Sequence, residues 1–255
     1  MKEDIVIIFT DGASRGNPGP GGYGAIIFDQ GKDIVTETGG YEKDTTNNRM
    51  ELRAAIEALI TIRKNRKGDD EFFKTVVYSD SAYVLNGITK WVYAWEKNNW
   101  MTGQKEGVLN QDLWEALLEL SRERDMKGGI SWKKVSGHAG SVGNERCDEI
   151  ATSFADQNSI LLFSGSIADY EKMMNASIDT MHETKSTTKK KSTSSSKKGV
   201  GYSYVSLVDG VVSVDKTWAA CEKRVKGKKG AKYKKAMNKE EESDLVALYS
   251  FDSLV

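Results

Sequence analysis

Apolar runs alternate with helical repeats along the first 156 residues, and the alternation predicts a mixed α/β domain. Residues 5–9 and 75–78 are rich in apolar, β-branched and aromatic side chains, so they predict buried strands. Shorter apolar stretches predict three further strands, at 25–28, 34–38 and 130–135. The expected core is therefore a sheet of five strands with helices between them.

The helices are predicted from apolar residues that recur three and four positions apart, which is the spacing of an amphipathic helix. The clearest repeat starts at Leu52, and residues 45–48 ahead of it offer several N-cap side chains. Weaker repeats predict helices near residue 84, from residue 112, and after a loop at 136–140. These segments supply the helical layers.

A glycine-rich segment at 16–24 contains the spacing G-x-G-x-x-G through Gly19, Gly21 and Gly24. A dinucleotide site with this spacing needs a helix to follow, with its N-terminus facing the pyrophosphate. Residues 25–28 instead predict a strand. We therefore interpret the glycines as a hairpin connection and reject a dinucleotide cofactor.

Four acidic residues lie where the predicted elements begin or end. Asp11 and Asp80 follow apolar runs, whereas Glu51 and Asp148 lie near the starts of helical repeats. An α/β core can bring such positions together, and clustered carboxylates repel one another unless cations neutralise them. Hard divalent cations with oxygen ligands meet that need, and Mg²⁺ is usual where phosphates are handled.

The segments that carry these four residues resemble type 1 ribonuclease H over roughly residues 4–156. They are Phe-Thr-Asp-Gly at 9–12, Asn-Asn-Arg-Met-Glu at 47–51, Tyr-Ser-Asp-Ser at 78–81 and Asn-Glu-Arg-Cys-Asp-Glu at 144–149. The resemblance implies a ribonuclease H-like α/β fold, with a five-stranded mixed sheet flanked by helices. It also implies an endonuclease that hydrolyses the RNA strand of RNA–DNA hybrids and leaves 5′-phosphate and 3′-hydroxyl ends.

The same resemblance assigns the site residues. Two Mg²⁺ ions, with Mn²⁺ as an alternative, would be held by a set in which Asp11 bridges both: Asp11, Glu51, Asp80 and Asp148. His138, in a glycine-flanked loop, would shuttle a proton or assist product release. Amides that match positions touching the 2′-hydroxyls or bases of the substrate are Asn17, Asn47, Asn48 and Asn110, and Thr46 matches a phosphate contact on the DNA strand. Ala82 departs from a glutamine common in bacterial members.

Residues 91–100 resemble the substrate-handling protrusion of bacterial members, in which Trp95 is the expected contact. We expect Trp91 and Trp100 to pack on the core. The protrusion is usually rich in Lys and Arg, but here Lys97 is nearly alone. This departure predicts that the catalytic domain binds nucleic acid weakly by itself.

Beyond the catalytic domain, expected at 1–158, an extra helical segment is predicted at 159–184. Residues 185–199 are rich in Ser, Thr and Lys and predict a flexible basic linker. The last unit, at 200–255, predicts two strands, a helix opened by Thr217, a basic segment and a final helix. The domain order is therefore catalytic domain, helix, linker and a small α/β domain.

The last unit resembles the hybrid-binding domain shared by eukaryotic ribonucleases H and viroplasmin-like proteins, through the pattern T-W-x-x-C-x-x-x-V-x-G…G-A-K-Y-K-K. In that family the domain usually precedes the catalytic domain, whereas here it follows. Aromatic rings beside lysines suit a duplex minor groove, so Trp218, Tyr233, Lys234 and Lys235 are expected substrate contacts. The alternative is that Trp218 and Tyr233 form the core of the unit.

The net charge of zero hides an uneven distribution. Residues 185–255 carry 16 Lys and Arg against 8 Asp and Glu, a balance of +8, and residues 1–184 carry −8. The basic part suggests a polyanionic partner, here an RNA–DNA hybrid. The two cysteines lie in different predicted domains and have no zinc-ligand spacing, and no apolar run predicts a membrane span.

We expect a cytoplasmic protein that is monomeric. Two other functions remain open at this point. One is a hybrid-binding protein of the same fold with weak or lost catalysis, against which the four intact carboxylates argue. The other is a different nuclease or integrase of the same superfold, against which the hybrid-binding pattern argues.

Overall fold

The computed structural model describes residues 4–66, 72–135, 142–158, 160–174, 202–209, 211–228 and 230–237, together with residues 242, 245, 246 and 249. The chain divides into two compact units, Met1–Ser166 and Ile167–Val255. None of the described helices combines the length and the apolar character that a membrane crossing requires.

The first unit is built on a mixed sheet. Its strands are β1 (Ile5–Ser14), β2 (Gly19–Asp29), β3 (Ile34–Thr45), β4 (Lys74–Ser79), β5 (Ile130–Lys134) and β6 (Ser164–Ser166). They lie in the order β5-β4-β1-β2-β3-β6. The pairs β1–β4 and β4–β5 are parallel, and the pairs β1–β2, β2–β3 and β3–β6 are antiparallel. The mixed α/β fold is therefore confirmed.

Helices cover both faces of this sheet. They are α1 (Asn47–Asn65), α2 (Ala82–Asn86), a π-helical turn (Gly87–Trp91), α3 (Val92–Lys97), α4 (Gln111–Met126) and α5 (Val142–Ala155). Val6 and Ile8 pack in one core with residues of α1 and α4. Ala13 points to the other face, where it packs against Ala151 and Ala155 of α5. The unit thus has three layers.

The prediction of five strands was wrong, because a sixth strand extends the sheet. β6 pairs antiparallel with β3, with Ile34 opposite Ser166. A strand of three residues is too short to show a period-two pattern, so the sequence gives no signal for it. The sheet consequently continues past residue 158, where the catalytic domain was expected to end.

The glycine-rich segment is mostly strand rather than hairpin connection. Only residues 15–18 connect β1 to β2, and the glycines from Gly19 onward lie in β2. The reason is the helix packed above them. A Cβ on Gly22 would clash with the carbonyl oxygen of Ala151, and one on Gly24 would lie 2.5 Å from that of Cys147. Glycine therefore lets the backbone of α5 lie directly on β2.

In the second unit, residues 167–174 form a helix, α6, which is the described part of the helix predicted within 159–184. The linker predicted at 185–199 lies outside the described residues. The other elements are β7 (Ser203–Val208), β8 (Val211–Asp215), α7 (Trp218–Val225) and β9 (Lys232–Ala236). The strands form an antiparallel sheet in the order β8-β7-β9. The basic segment after α7, for which no element was predicted, is thus a strand.

Both faces of this small sheet are covered. On one face Val208 packs with Cys221 and Val225 of α7. On the other face the cluster comprises Val205, Leu207, Ala236, Leu245 and Tyr249. This arrangement uses aliphatic residues for the core, and it leaves other aromatic side chains of the unit available at the surface.

Candidate active site

The two strand carboxylates lie side by side at the end of the parallel pair β1–β4. In the register of these strands Thr10 lies opposite Ser79. Asp11 directly follows Thr10, and Asp80 directly follows Ser79. Because the strands are parallel, the two carboxylates reach the same edge of the sheet. Asp80 follows the end of β4, as the apolar run predicted, whereas Asp11 lies within β1, which continues to Ser14 in its pairing with β2.

The two helix carboxylates are brought to the same edge by glycine contacts. A Cβ on Gly12 would clash with the backbone nitrogen of Glu51, so α1 crosses β1 next to Asp11. Gly24 is the partner of Asp11 in the β1–β2 register, and it packs on the carbonyl of Cys147, one residue before Asp148. Close backbone approach at two glycines thus places α1 and α5 beside Asp11.

The electrostatics of Asp11 show how close the four carboxylates are. Burial is the largest cause that raises the pKa of Asp11 to about 7, and the charge of Asp80 is the next. Asp148 and Glu51 raise it further, while the Gly12 N–H, which donates to Asp11 Oδ1 at 2.7 Å, lowers it. Three like charges therefore act on one half-buried carboxyl group.

Glu51 is held by two donors. Ser81 Oγ donates to Glu51 Oε2 at 2.5 Å, and Asn47 Nδ2 donates to Oε1 at 3.0 Å. Burial, followed by the charge of Asp80, raises the pKa of Glu51 against the effect of these hydrogen bonds. Ser81 was missed as a site residue. Its signal was present, because a Ser ahead of a helical repeat is an N-cap candidate, and Ser81 caps α2 through Val84 N.

The donor set fits a hard divalent cation in its chemistry. All four groups are carboxylates, which are the ligands that Mg²⁺ prefers, and a cation would favour the ionised form of the half-buried Asp11. In the described part of the chain, no three His, Cys, Asp or Glu side chains lie close enough to hold a metal ion as they stand. Like charges favour separated side chains, and Glu51 points to Ser81 and Asn47. Binding therefore requires side-chain rotation on a backbone that is already in place.

The predicted substrate residues form a border around this edge. Asn47 and Asn48 are exposed at the start of α1, and Thr46 is its N-cap, accepting from Arg49 N at 3.4 Å. Asn17 is exposed in the turn between β1 and β2. Asn110 lies just before α4, where its side chain bonds to Arg49 and Tyr83. His138 lies outside the described residues.

The tryptophans of residues 91–100 differ from expectation. Trp91 is 38% exposed, so the prediction that it packs on the core was wrong, whereas Trp100 does pack against the core. Trp95 is half-buried, with ring centroids 5.7 Å from those of Trp91 and of Trp114. The π-helical turn that ends at Trp91 adds a residue to the turn and changes which side chains face inward, and the helical repeat could not predict it.

In the second unit, Trp218 lies between two tyrosine rings. Its centroid is 5.7 Å from that of Tyr204 and 5.1 Å from that of Tyr233. Trp218 is 37% and Tyr233 51% exposed, so these rings do not form the core of the unit. Along β9 the side chains alternate, which puts Lys235 on the face of Tyr233 and Lys234 on the opposite face. The two predicted lysine contacts are therefore separated.

The first unit is similar to known proteins. The family model of RNase H matches residues 3–156. The chain is 46% identical over 154 residues to the ribonuclease H of Zymomonas mobilis, covering 60% of this chain and 90% of that protein. It is 50% identical over 148 residues to the ribonuclease H of Thermosynechococcus vestitus, covering 58% and 86%.

A solved structure, that of LC9-RNase H1, a type 1 RNase H with the type 2 active-site motif, superimposes with a TM-score of 0.53 at 28% identity. It covers 65% of this chain and 79% of that one. The chain therefore belongs to the RNase H family. Its first unit is a ribonuclease H, a nuclease whose family depends on divalent metal ions, generally Mg²⁺. The family match ends at residue 156, so the second unit is not part of it.

Proposed function

We propose that this chain hydrolyses the RNA strand of RNA–DNA hybrids by two-metal-ion catalysis and leaves 5′-phosphate and 3′-hydroxyl ends. The observation that carries the proposal is the environment of Asp11, a half-buried carboxyl group whose pKa is raised by desolvation and by the charges of Asp80, Asp148 and Glu51. A site with this much negative charge favours cations, and the chain belongs to a family of metal-dependent nucleases.

The four carboxylates would hold two Mg²⁺ ions, and the charges of the other three already act on Asp11. Mn²⁺ has the same preference for oxygen ligands and can replace Mg²⁺. When bound, the ions supply Lewis-acid chemistry that activates water and stabilises the leaving oxygen.

The residues of the chain have separate tasks around these ions. Ser81 and Asn47 hold Glu51 at the edge of the site, and Gly12 N–H holds one oxygen of Asp11. His138, which precedes α5 in the sequence, would carry a proton or assist product release. Its effect would be smaller than that of the metal ions, as is usual for general acid–base catalysis.

The substrate would bind along the border of amides. Each amide side chain has both a donor and an acceptor, and so does a ribose 2′-hydroxyl, which DNA lacks. Asn17, Asn47, Asn48 and Asn110 would therefore contact the RNA strand or nearby base edges. Thr46, as the N-cap of α1, would contact a phosphate of the DNA strand. The half-buried Trp95 would contact the substrate through one edge of its ring.

We further propose that the second unit binds the hybrid and that the protein acts as a monomer. The support is the exposed rings of Trp218 and Tyr233, which pack with the half-buried Tyr204 and have Lys235 on the same face. Rings pack against sugars while a lysine meets a phosphate. In the first unit, by contrast, the protrusion at residues 91–100 offers little positive charge. Its Glu96 accepts two hydrogen bonds from Arg122, at 2.7 and 2.6 Å, so this arginine is already paired with a carboxylate.

The test is incubation with duplexes of one sequence prepared as RNA–DNA, RNA–RNA and DNA–DNA, in Mg²⁺, in Mn²⁺ and in EDTA. Cleavage of the RNA strand of the hybrid alone is expected, with none in EDTA, and end-labelling should find 5′-phosphates and 3′-hydroxyls. Hybrid binding without cleavage would support a binding protein instead. Cleavage of DNA–DNA would support another nuclease of the superfold.

A further inference from the structure

A network of side chains beside the carboxylates joins the start of α1 to the start of α4. Arg49 lies two residues before Glu51, and its two terminal nitrogens donate to both oxygens of Asp112, at 3.0 and 2.8 Å. Arg49 Nη1 also lies 3.4 Å from Asn110 Oδ1. Asn110 Nδ2 and Trp114 Nε1 each lie 3.1 Å from Tyr83 Oη.

Two members of this network can only donate, and that fixes the orientation of the Asn110 amide. Guanidinium and indole groups have no acceptor, so Arg49 must face the carbonyl oxygen of Asn110. The indole N–H of Trp114 likewise makes Tyr83 Oη an acceptor. With its oxygen toward Arg49, the amide turns its nitrogen toward Tyr83. A flip of the amide would face N–H groups toward Arg49 and break that bond.

The backbone of Asn110 is fixed as well. Its φ of 61° and ψ of 31° lie in the left-handed region, which Asn tolerates better than most residues. Its carbonyl accepts from Leu113 N at 3.1 Å and from Trp114 N at 3.0 Å in the first turn of α4. The side chain of Asn110 therefore has few other positions available.

The oriented amide keeps hydrogen-bonding capacity for a ligand. Within the described residues, its hydrogen bonds use one N–H and one lone pair, and an amide has two of each. The remaining N–H and the remaining lone pair belong to the same planar amide, and Asn110 is only half-buried. A 2′-hydroxyl, which both donates and accepts, matches this pair.

We propose that Arg49 and Tyr83 are positioning residues that hold the amide of Asn110 in one orientation for the RNA strand. This rests on the function proposed above, in which Asn110 contacts the hybrid. Neither residue contacts the substrate itself. Asp112 acts one step further away, because its two bonds aim the guanidinium of Arg49.

The experiment is a double-mutant cycle in steady-state cleavage of an RNA–DNA hybrid with Mg²⁺. Tyr83→Phe removes only the hydroxyl, and Asn110→Gly removes the amide while allowing the left-handed backbone. Tyr83→Phe should raise KM about 3- to 10-fold, the effect of one uncharged hydrogen bond, and leave kcat within about twofold. In the Asn110→Gly background, Tyr83→Phe should have no further effect on KM.

Two additional variants sharpen the cycle. Arg49→Lys keeps the charge but loses the planar fork, so KM should rise in the same direction. Tyr41→Phe is the matched control, because Tyr41 is exposed on β3 and its hydroxyl takes part in none of the described hydrogen bonds. It should leave both constants unchanged. Thermal unfolding of each variant shows whether the fold is intact.

Either of two results overturns the proposal. One is an unchanged KM for Tyr83→Phe. The other is a Tyr83→Phe effect of equal size with and without the Asn110 amide, because Tyr83 would then act on the fold or touch the substrate itself. In both cases the wild type still cleaves the hybrid. A wild type that cleaves no hybrid would overturn the proposed function as well.

Discussion

Replacing Asp11 by Asn should stabilise the metal-free protein at neutral and alkaline pH, although Asp11 is expected to be essential for activity. The folded protein holds this carboxyl group in a half-buried place near the charge of Asp80, with a pKa of about 7 against an ordinary value of 3.8. Folding therefore disfavours the ionised form. The amide of Asn has nearly the same shape and carries no charge, so it avoids that cost and leaves no cavity.

The magnitude follows from the shift. One pKa unit corresponds to about 1.4 kcal/mol, so the ionised Asp11 destabilises the folded state by at most about 4 kcal/mol. Above pH 7 the group is ionised in both states and the cost is complete. As pH falls from 7 toward 3.8, the folded state binds a proton that the unfolded state does not, and the cost disappears. The advantage of Asp11→Asn should thus be about 4 kcal/mol at pH 8 and about 1.5 kcal/mol at pH 5.

The assay is urea unfolding in EDTA at both pH values, followed by tryptophan fluorescence. Five of the six tryptophans lie at residues 91–132, so the signal reports mainly on the first unit. Asp44→Asn, an exposed carboxylate on β3, is the matched control and should change stability little at either pH. Two results would refute the clustering of carboxylates around Asp11. One is an Asp11→Asn variant that is less stable than the wild type at pH 8, and the other is a gain in stability that does not depend on pH.

Four further outcomes are expected. His138→Ala should slow hybrid cleavage by about 10²-fold or less, the low end for general acid–base help, measured as kcat in Mg²⁺; a loss as complete as that of a metal ligand would contradict the role. Protein ending at residue 184 should bind hybrids more weakly and with a shallower dependence on salt, measured by titration at several ionic strengths; superimposed curves would exclude a hybrid-binding second unit. Lys235→Ala should weaken that binding more than Lys234→Ala, because only Lys235 shares the face of the rings, and equal losses would contradict this. Glu37→Gln should destabilise the first unit by about 3 kcal/mol or more in urea, because it leaves the largely buried Arg146 without its bidentate partner, and a loss below about 1 kcal/mol would contradict that.

The parts of the fold that follow from local pattern could be predicted from the sequence. The apolar runs ahead of Asp11 and Asp80 predict two strands, and these strands are parallel neighbours in the sheet. The N-cap residues ahead of α1 predict where that helix begins, and Thr46 is its cap. Such signals are local because strand burial and helix capping depend on residues close in sequence.

The parts that depend on packing between distant residues could not be predicted. Gly22 and Gly24 weaken the pattern of a strand in the sequence. Glycine is needed there because α5 packs closely on β2, and the contacting residues of α5 lie more than 120 positions away along the chain. The opposite faces of Lys234 and Lys235 follow from the position of β9 beside β7, which the sequence does not show. The link from Arg49 to Asn110 joins residues 61 positions apart, so no motif contains both.

The carboxylate site itself is tested most directly by the rate of hybrid cleavage by Asp11→Asn in saturating Mg²⁺, compared with the wild type on the same substrate. Neutralising one ligand should abolish cleavage while circular dichroism and hybrid affinity stay close to those of the wild type, because the change removes a charge without opening a cavity. Turnover by Asp11→Asn near the wild-type rate would contradict the assignment of these four carboxylates as the active site.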